Sequence, residues 1–116
     1  MPAVVETFPN QFPDRDYEIE ITCPEFTAVC PKTGQPDFGT IIIHYIPAAA
    51  CLELKSLKLY LVGYRDRGIF YEHVVNTILD ELTKSCQPKR MKVIGQFNPR
   101  GGITSRVTVV HEAERS

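Results

Sequence analysis

The sequence lacks both an excess of charge of either sign and a long apolar run. Its 13 basic and 14 acidic residues leave a net charge of −1, which argues against a general electrostatic interaction with nucleic acid. The longest apolar run is far too short to cross a bilayer. The first ten residues have neither the basic start nor the apolar centre of a signal peptide. We therefore expect a cytoplasmic protein with neither a membrane nor a nucleic acid as a direct partner.

Paired metal-ligating residues and a glycine-rich dinucleotide motif are missing as well. The four cysteines include no C-x-x-C pair and the three histidines lie far apart, so no metal site is predicted. Cytoplasmic thiols stay reduced, which argues against a disulfide framework. Because the sequence contains no G-x-G-x-x-G, any dinucleotide would bind outside a Rossmann fold.

The composition itself is that of an ordinary globular protein, with 43% hydrophobic and 23% charged residues. A chain of 116 residues has room for one core of ordinary size, so we expect residues 1–116 to form a single domain. Residues 1–15 contain three prolines and little periodicity. They indicate an extended arm that lies on the surface or on a neighbouring subunit.

Hydrophobic periodicity predicts four strands and two helices. Steps of three and four residues predict one helix from about Leu54 and a second from Phe70 to shortly before Pro88. The order β-β-α-α-β-β favours an α+β domain in which two helices cover one face of a four-stranded antiparallel sheet. The open edges of such a sheet favour oligomerisation. The strands are predicted at residues 16–23, 40–46, 90–97 and 103–111.

Residues 23–39 carry the first candidate site. Their three prolines predict an irregular, rigid loop rather than a helix or a central strand. Cys30 lies in the middle of this segment and Asp37 follows seven residues later. A thiolate is a strong nucleophile, and a nearby carboxyl group can act as its general acid. The alternative is a proline-rich connector that contains a buried cysteine.

Three basic residues form the second candidate site. Lys55 and Lys58 lie three residues apart within Glu-Leu-Lys-Ser-Leu-Lys-Leu-Tyr, residues 53–60. Near a helix start they would suit an anionic phosphate, although a solvated charged face is the simpler interpretation. Arg100, in the predicted Asn-Pro-Arg-Gly-Gly turn at residues 98–102, is either a third cation for the same ligand or simply part of the turn.

The third candidate site is at the start of the second helix, at Tyr71, Glu72 and His73. A carboxylate early in a helix is stabilised by the helix dipole, so capping is the simplest role for Glu72. Alternatively, Glu72 could accept two N–H groups from a purine-like ring. His73 is predicted to lie on the surface.

Taken together, these segments carry a resemblance that none of them carries alone. Its motifs are CPEFT at residues 23–27, CP at 30–31, QPDF at 35–38, ELKSLKLY at 53–60 and FNPRGGI at 97–103. With these motifs the chain resembles the QueF family over roughly residues 17–109, in its short, single-module form. Members of that family are NADPH-dependent 7-cyano-7-deazaguanine reductases, which make a precursor of the tRNA nucleoside queuosine.

The resemblance implies a tunnelling fold whose subunits join into stacked rings, here a homodecamer of two pentamers. It implies that Cys30 adds to the nitrile carbon to give a covalent thioimide and that Asp37 protonates the nitrogen. Hydride from NADPH then gives an imine, which a second NADPH reduces to the amine. The resemblance further implies phosphate binding by Lys55, Lys58 and Arg100. Substrate binding is assigned in the same way to Glu72, Tyr71, Glu53 and Ser56.

One residue departs from the family pattern, because Tyr71 stands where the family usually has histidine. A phenol can donate or accept one hydrogen bond, but it cannot become a cation.

Two other functions fit the same segments. A QueF-like amidinotransferase would add ammonia to the nitrile instead of hydride, but such enzymes lack the NADPH motif that residues 53–60 complete. A deazapurine-binding module without catalysis would not need both Cys30 and Asp37.

Overall fold

A four-stranded antiparallel sheet with two helices on one face organises residues 5–113, which the computed structural model of the chain describes. The spatial order of its strands is β2-β3-β5-β6, and the predicted order β-β-α-α-β-β is confirmed. A second, two-stranded sheet joins β1 to β4. The elements are β1 (Thr7–Pro9), β2 (Ile19–Val29), β3 (Pro36–Ile46), β4 (Ala50–Leu52), α1 (Leu54–Val62), α2 (Tyr71–Cys86), β5 (Arg90–Arg100) and β6 (Ile103–Glu112).

The core lies between the sheet and the helices, as the two periodicities require. Strand β3 buries alternate residues, among them Ile41, Ile43 and Tyr45. Strand β5 buries Met91, Val93 and Phe97 on one face, and Ile94 on its other face is buried too. Helix α2 packs against β5 and β6. Its predicted apolar stripe is confirmed at five positions, to which Cys86 is added: Val74, Val75, Ile78, Leu79 and Leu82. Phe70, also predicted in this stripe, precedes the helix and is exposed.

The ends of the helices follow local chemistry. The carboxylate of Glu53 caps α1, accepting hydrogen bonds from the backbone N–H groups of Lys55 (2.6 Å) and Ser56 (3.0 Å). Helix α2 ends at Gln87, which has a left-handed conformation with φ of 45° and precedes Pro88. The positions of both helices were therefore predicted correctly to within a few residues.

The prediction of a loop at residues 23–39 is wrong for most of that segment. Strand β2 continues through Pro24 to Val29, and β3 already begins at Pro36. Proline is excluded from central strands, but β2 is an edge strand, and a register shift between Cys23 and Phe26 accommodates Pro24. Proline is also tolerated at the first residue of a strand. The irregular segment is only residues 30–35.

Two short strands were missed because three-residue strands carry no usable periodicity. Strand β1 pairs antiparallel with β4, with Phe8 opposite Cys51. Residues 5–9 of the predicted arm thus contact this chain itself, and Val5 is fully buried. Asn10 fixes the chain beyond β1, because its Oδ1 accepts from the Tyr17 hydroxyl at 2.6 Å and its Nδ2 donates to the Ala48 carbonyl at 2.8 Å. Residues 1–4 of the predicted arm and residues 114–116 lie outside the described residues.

The predicted turn at 98–102 is shorter than expected. Strand β5 continues to Arg100 through a register shift after Phe97, and the turn itself is made by Gly101 and Gly102, whose φ angles are 60° and 79°. Such positive φ values suit glycine. Arg100 consequently lies at the very end of a strand, next to the tip of a hairpin.

Two glycines make room for the ring of Phe97. A Cβ atom at Gly39 would lie 2.7 Å from the carbonyl oxygen of Gln96 and 2.9 Å from the Phe97 ring. One at Gly95 would lie 2.6 Å from a methyl carbon of Val75 and 2.9 Å from the same ring. Phe97 is 2% exposed, so neither the ring nor the backbone has free space into which to move.

We expect Gly39→Ala to lower the free energy of unfolding by about 1–3 kcal/mol, because the added methyl group overpacks a site walled by backbone. Urea denaturation of the wild type and the variant measures the loss. Gly68→Ala is the matched control, since a Cβ there meets nothing closer than 3.7 Å. Equal unfolding midpoints for wild type and Gly39→Ala would contradict this account of the packing.

Candidate active site

A cavity of about 150 Å³ lies at one end of the sheet, where the β2–β3 and β5–β6 turns meet the start of α2. The antiparallel register brings these segments together: Gly39 at the start of β3 pairs with Phe97 near the end of β5. The cavity contains five of the nine predicted site residues. Its lining residues are Cys30, Pro31, Asp37, Ile69, Phe70, Tyr71, Glu72 and Arg100.

Cys30 opens the tight turn that connects β2 to β3. Its backbone N–H donates to the carbonyl of Gln35 at 2.9 Å, and its carbonyl accepts from the N–H of Gly34 at 2.8 Å. Hydrogen bonding from Thr33 and from the backbone N–H of Lys32 lowers the pKa of the Cys30 thiol, and the charge of Arg100 adds to the effect. The turn therefore favours the thiolate, which is the nucleophilic form.

Burial makes two of the other cysteines poor nucleophiles. All four cysteines are free. Burial raises the pKa of Cys23, and it raises the pKa of Cys86 to about 12. A neutral, buried thiol is a poor nucleophile, so these two cysteines behave as apolar core residues. Cys23 lies on the half-buried face of β2 and packs against the core.

Asp37 is the buried acid of the site, with 7% of its surface exposed. Its Oδ1 accepts one hydrogen bond from the Tyr71 hydroxyl at 2.8 Å and a second from Nη1 of Arg100, with which it forms an ion pair. The other terminal nitrogen of Arg100 donates to Oε1 of Gln35 at 2.9 Å. A buried carboxylate needs such partners, because an unpaired charge would be costly at this depth.

Tyr71 is fixed on both its polar and its apolar side. Its ring stacks on Phe97, with centroids 3.8 Å apart and planes 9° from parallel. Burial, together with the hydrogen bond to Asp37, raises the pKa of Tyr71 to about 12. The phenol thus remains protonated, and remains a donor to Asp37, throughout the physiological pH range.

Glu72 lies in the first turn of α2, is exposed and borders the cavity. The N-cap residue Phe70 makes no side-chain capping bond, so the carboxylate next to the cavity complements the helix dipole. His73, the next residue, is exposed as predicted. Its ring lies edge-on to that of Phe70, with the two ring centroids 6.0 Å apart.

The remaining four predicted site residues are on or next to α1 and do not line this cavity. Glu53 caps the helix, and Oγ of Ser56 accepts from the backbone N–H of Glu6 at 2.9 Å. Lys58 borders a second cavity, of about 330 Å³, between α1 and the bulged part of β2. Lys55 is exposed near the start of α1.

Sequence reasoning missed three residues that shape the site. Thr33 acts on the Cys30 sulfur, Gln35 binds Arg100, and Phe97 supports Tyr71. A threonine three residues after Cys30, in a turn that contains proline and glycine, was the available signal for the first. The other two roles depend on contacts between segments about 65 and 26 residues apart in the chain, which no local pattern reveals.

Comparison with known proteins finds relatives of this chain by sequence. A family model described as QueF-like protein matches residues 36–116. A protein of Chloroherpeton thalassium is 60% identical over 98% of this chain and 98% of its own length. One of Magnetococcus marinus is 54% identical over 98% of this chain and 89% of its own length. Both carry the name NADPH-dependent 7-cyano-7-deazaguanine reductase.

A solved structure also resembles the fold. The apo crystal structure of the archaeosine synthase QueF-Like superposes with a TM-score of 0.77 at 21% identity, over 84% of this chain and 96% of that one. This likeness supports the tunnelling fold. No helix within residues 5–113 is long and apolar enough to cross a membrane. On the family model and the near full-length relatives, the chain belongs to the QueF family.

Proposed function

We propose that this chain is an NADPH-dependent 7-cyano-7-deazaguanine reductase that converts the nitrile to the primary amine of 7-aminomethyl-7-deazaguanine, a step of queuosine biosynthesis. The names of its near full-length relatives support this reaction. The observation that carries the mechanism is the joint placement of an activated Cys30 and a buried Asp37 in one small cavity.

Cys30 is the proposed nucleophile. A nitrile is a poor hydride acceptor, and addition of a thiolate converts it into a more reducible C=N group. The sulfur forms a bond to the nitrile carbon while one π bond of the nitrile breaks, which leaves a thioimide. The β2–β3 turn supplies the thiolate by hydrogen bonding, so the step needs no separate base in contact with the sulfur.

Asp37 is the proposed general acid, and it delivers the proton that the former nitrile nitrogen takes up. Its Oδ1 accepts from Tyr71 and Arg100, so Oδ2 is the oxygen that we assign to this proton. Glu72, which is exposed at the rim of the same cavity, is placed to accept N–H groups of the deazaguanine ring.

The basic residues fit the anionic part of the cofactor by their chemistry. Lys55 and Lys58 are exposed ammonium groups close to the start of α1, and Lys58 borders a cavity of about 330 Å³. We propose that they bind the NADPH phosphates together with Arg100. When bound, NADPH supplies hydride. Glu53 and Ser56 also form hydrogen bonds at the start of α1. Their role as substrate contacts stays a prediction.

The positions of the two cavities and of the edge strands support an assembly of several subunits. Lys58 and Cys30 border different cavities of one chain, and β2 and β6 are the two edge strands of the sheet. Joining these edges between subunits would satisfy their backbone groups and could bring Lys58 of one subunit to Cys30 of the next. We propose a cytoplasmic homodecamer of two stacked pentameric rings, with sites shared between subunits.

The reaction is tested by NADPH oxidation on addition of 7-cyano-7-deazaguanine. We expect about two NADPH per nitrile, because reduction of a nitrile to a primary amine takes two hydrides. Cys30→Ala should abolish the oxidation, and Cys86→Ala serves as a control for cysteine loss elsewhere. Lys58→Gln should raise the KM for NADPH about tenfold without preventing the thioimide from forming. Consumption of ammonia in place of NADPH would contradict the proposal and favour an amidinotransferase.

The pH dependence of Cys30 tests how the thiolate is supplied. Because hydrogen bonds from Thr33 lower the pKa of Cys30, Thr33→Val should move the midpoint of Cys30 alkylation by iodoacetamide to higher pH and slow the reaction at pH 7. Peptide mapping by mass spectrometry assigns the label to Cys30. Thr33→Ser keeps the hydroxyl and should retain the wild-type midpoint. A midpoint that is the same in Thr33→Val and wild type would show that the turn does not activate the thiol.

The ring is tested by sedimentation velocity. A decamer has about ten times the 13.1 kDa mass of the chain. A mixture of two inactive variants, Cys30→Ala and Lys58→Glu, should recover part of the NADPH oxidation if subunits exchange and share sites. A monomer that is fully active would contradict both the ring and the shared site.

A further inference from the structure

The family resemblance implies that Tyr71 contacts the substrate, but its observed contacts favour a different role. We propose that Tyr71 is a positioning residue: its hydroxyl holds Oδ1 of Asp37 so that Oδ2 alone faces the reacting nitrogen. This inference rests on the proposed function, because it concerns how the proposed acid delivers its proton. It applies to this chain in particular, where tyrosine stands in place of the usual histidine.

The first support is the rigidity of the ring. Tyr71 stacks on Phe97 with a centroid separation of 3.8 Å, and Phe97 is itself wedged against Gly39 and Gly95. A tyrosine has few rotatable bonds, and here its plane is fixed by a buried neighbour. The hydroxyl is therefore held in place before any substrate arrives, and it lies 2.8 Å from Oδ1 of Asp37.

The second support is the use of the phenol proton. A tyrosine hydroxyl has one proton to donate, and Tyr71 donates it to Asp37. The Tyr71 oxygen could therefore bind a substrate only as a hydrogen-bond acceptor, through its remaining lone pairs. Glu72, on the next position of α2 and at the rim of the cavity, is a much stronger acceptor for ring N–H groups. The geometry therefore favours Glu72 as the substrate contact and Tyr71 as the support of the acid.

The third support is the difference between the two donors to Asp37. Arg100 is 37% exposed at its side chain and lies at the tip of the β5–β6 hairpin, where Gly101 and Gly102 follow it. It is also a proposed phosphate ligand. If Arg100 turns toward a phosphate, Tyr71 is the donor that continues to hold Asp37.

The step that Tyr71 supports is a balanced addition. The Cys30 thiolate forms the sulfur–carbon bond as one π bond of the nitrile breaks, and Oδ2 of Asp37 delivers a proton to the nitrogen. This proton balances the one that the Cys30 thiol released to solvent when the thiolate formed. No oxidant or reductant takes part, so the thioimide should form without NADPH. This allows the role of Tyr71 to be measured apart from hydride transfer.

Within residues 5–113, charged or titratable groups lie near Tyr71 on its own helix and on the segments packed against it. They are Asp37 on β3, Arg100 on β5 and Cys30 in the β2–β3 turn, with Glu72 adjacent on α2. The phenol does not change its charge between pH 5 and 9, whereas an imidazole at the same position would titrate at about pH 6.5 when unperturbed.

The experiment measures thioimide formation on Cys30 by intact-protein mass spectrometry, with 7-cyano-7-deazaguanine and without NADPH. We expect Tyr71→Phe, which keeps the stacking, to slow adduct formation at saturating nitrile by about tenfold or more, with less than about a twofold change in the nitrile concentration that gives half the maximal rate. Tyr17→Phe removes a remote tyrosine hydroxyl and should match the wild type. A tenfold rise in that concentration at an unchanged maximal rate would make Tyr71 a substrate contact and overturn the proposal.

The pH profile of the same reaction separates a positioning role from a merely structural one. Tyr71→His should restore a hydrogen-bonding group and add a step near pH 6.5 that the wild type and Tyr71→Phe lack. Superimposable profiles for Tyr71→His and wild type would overturn the proposal. If the wild type itself forms no adduct on Cys30, the proposed function fails and this inference fails with it, a result distinct from a defect confined to Tyr71→Phe.

Discussion

Burial of the carboxylate of Asp37 is the constraint on which the site depends. At 7% exposure an ionised carboxylate is stable only with charged or hydrogen-bonding partners, and none of these partners comes from its own strand. Arg100 arrives from the end of β5 and Tyr71 from the first turn of α2. The start of α2, the β5–β6 hairpin and the β2–β3 hairpin must therefore meet at one point. The cavity lies where Asp37 meets these two partners.

The register of the sheet makes this meeting possible. Pairing of Gly39 with Phe97 sets the start of β3 against the end of β5, and the absence of a side chain at Gly39 and Gly95 admits the Phe97 ring. That ring then supports Tyr71. A shift of one residue along β5 would turn Phe97 to the other face of the sheet and remove the surface on which Tyr71 stacks. The packing of Phe97 in the core and the placement of the donor to Asp37 thus depend on the same strand register.

Prediction from the sequence succeeded where a local pattern carries the information. The apolar stripe of α2 and the alternation in β5 are long enough to identify each element and its buried face. The extent of β2 was not predictable, because the rule against proline in central strands cannot recognise an edge strand before the strand order is known. Cys30 and Asp37 were found as neighbours in one segment, but Tyr71 and Arg100 meet Asp37 only through tertiary contacts. For the same reason, the sequence could not tell that Lys58 borders a different cavity from Cys30.

The two groups proposed to react, Cys30 and Asp37, depend on different parts of the molecule. Cys30 owes its lowered pKa mainly to Thr33 and Lys32, within its own turn, and only in the smallest part to Arg100. Asp37 depends instead on Arg100 and Tyr71, which belong to distant segments. A movement of the β5–β6 hairpin would therefore alter the surroundings of the acid while leaving the thiolate nearly unchanged. Because Tyr71 is held by stacking rather than by charge, the carboxylate keeps one fixed donor during such a movement, and its orientation toward the cavity is preserved.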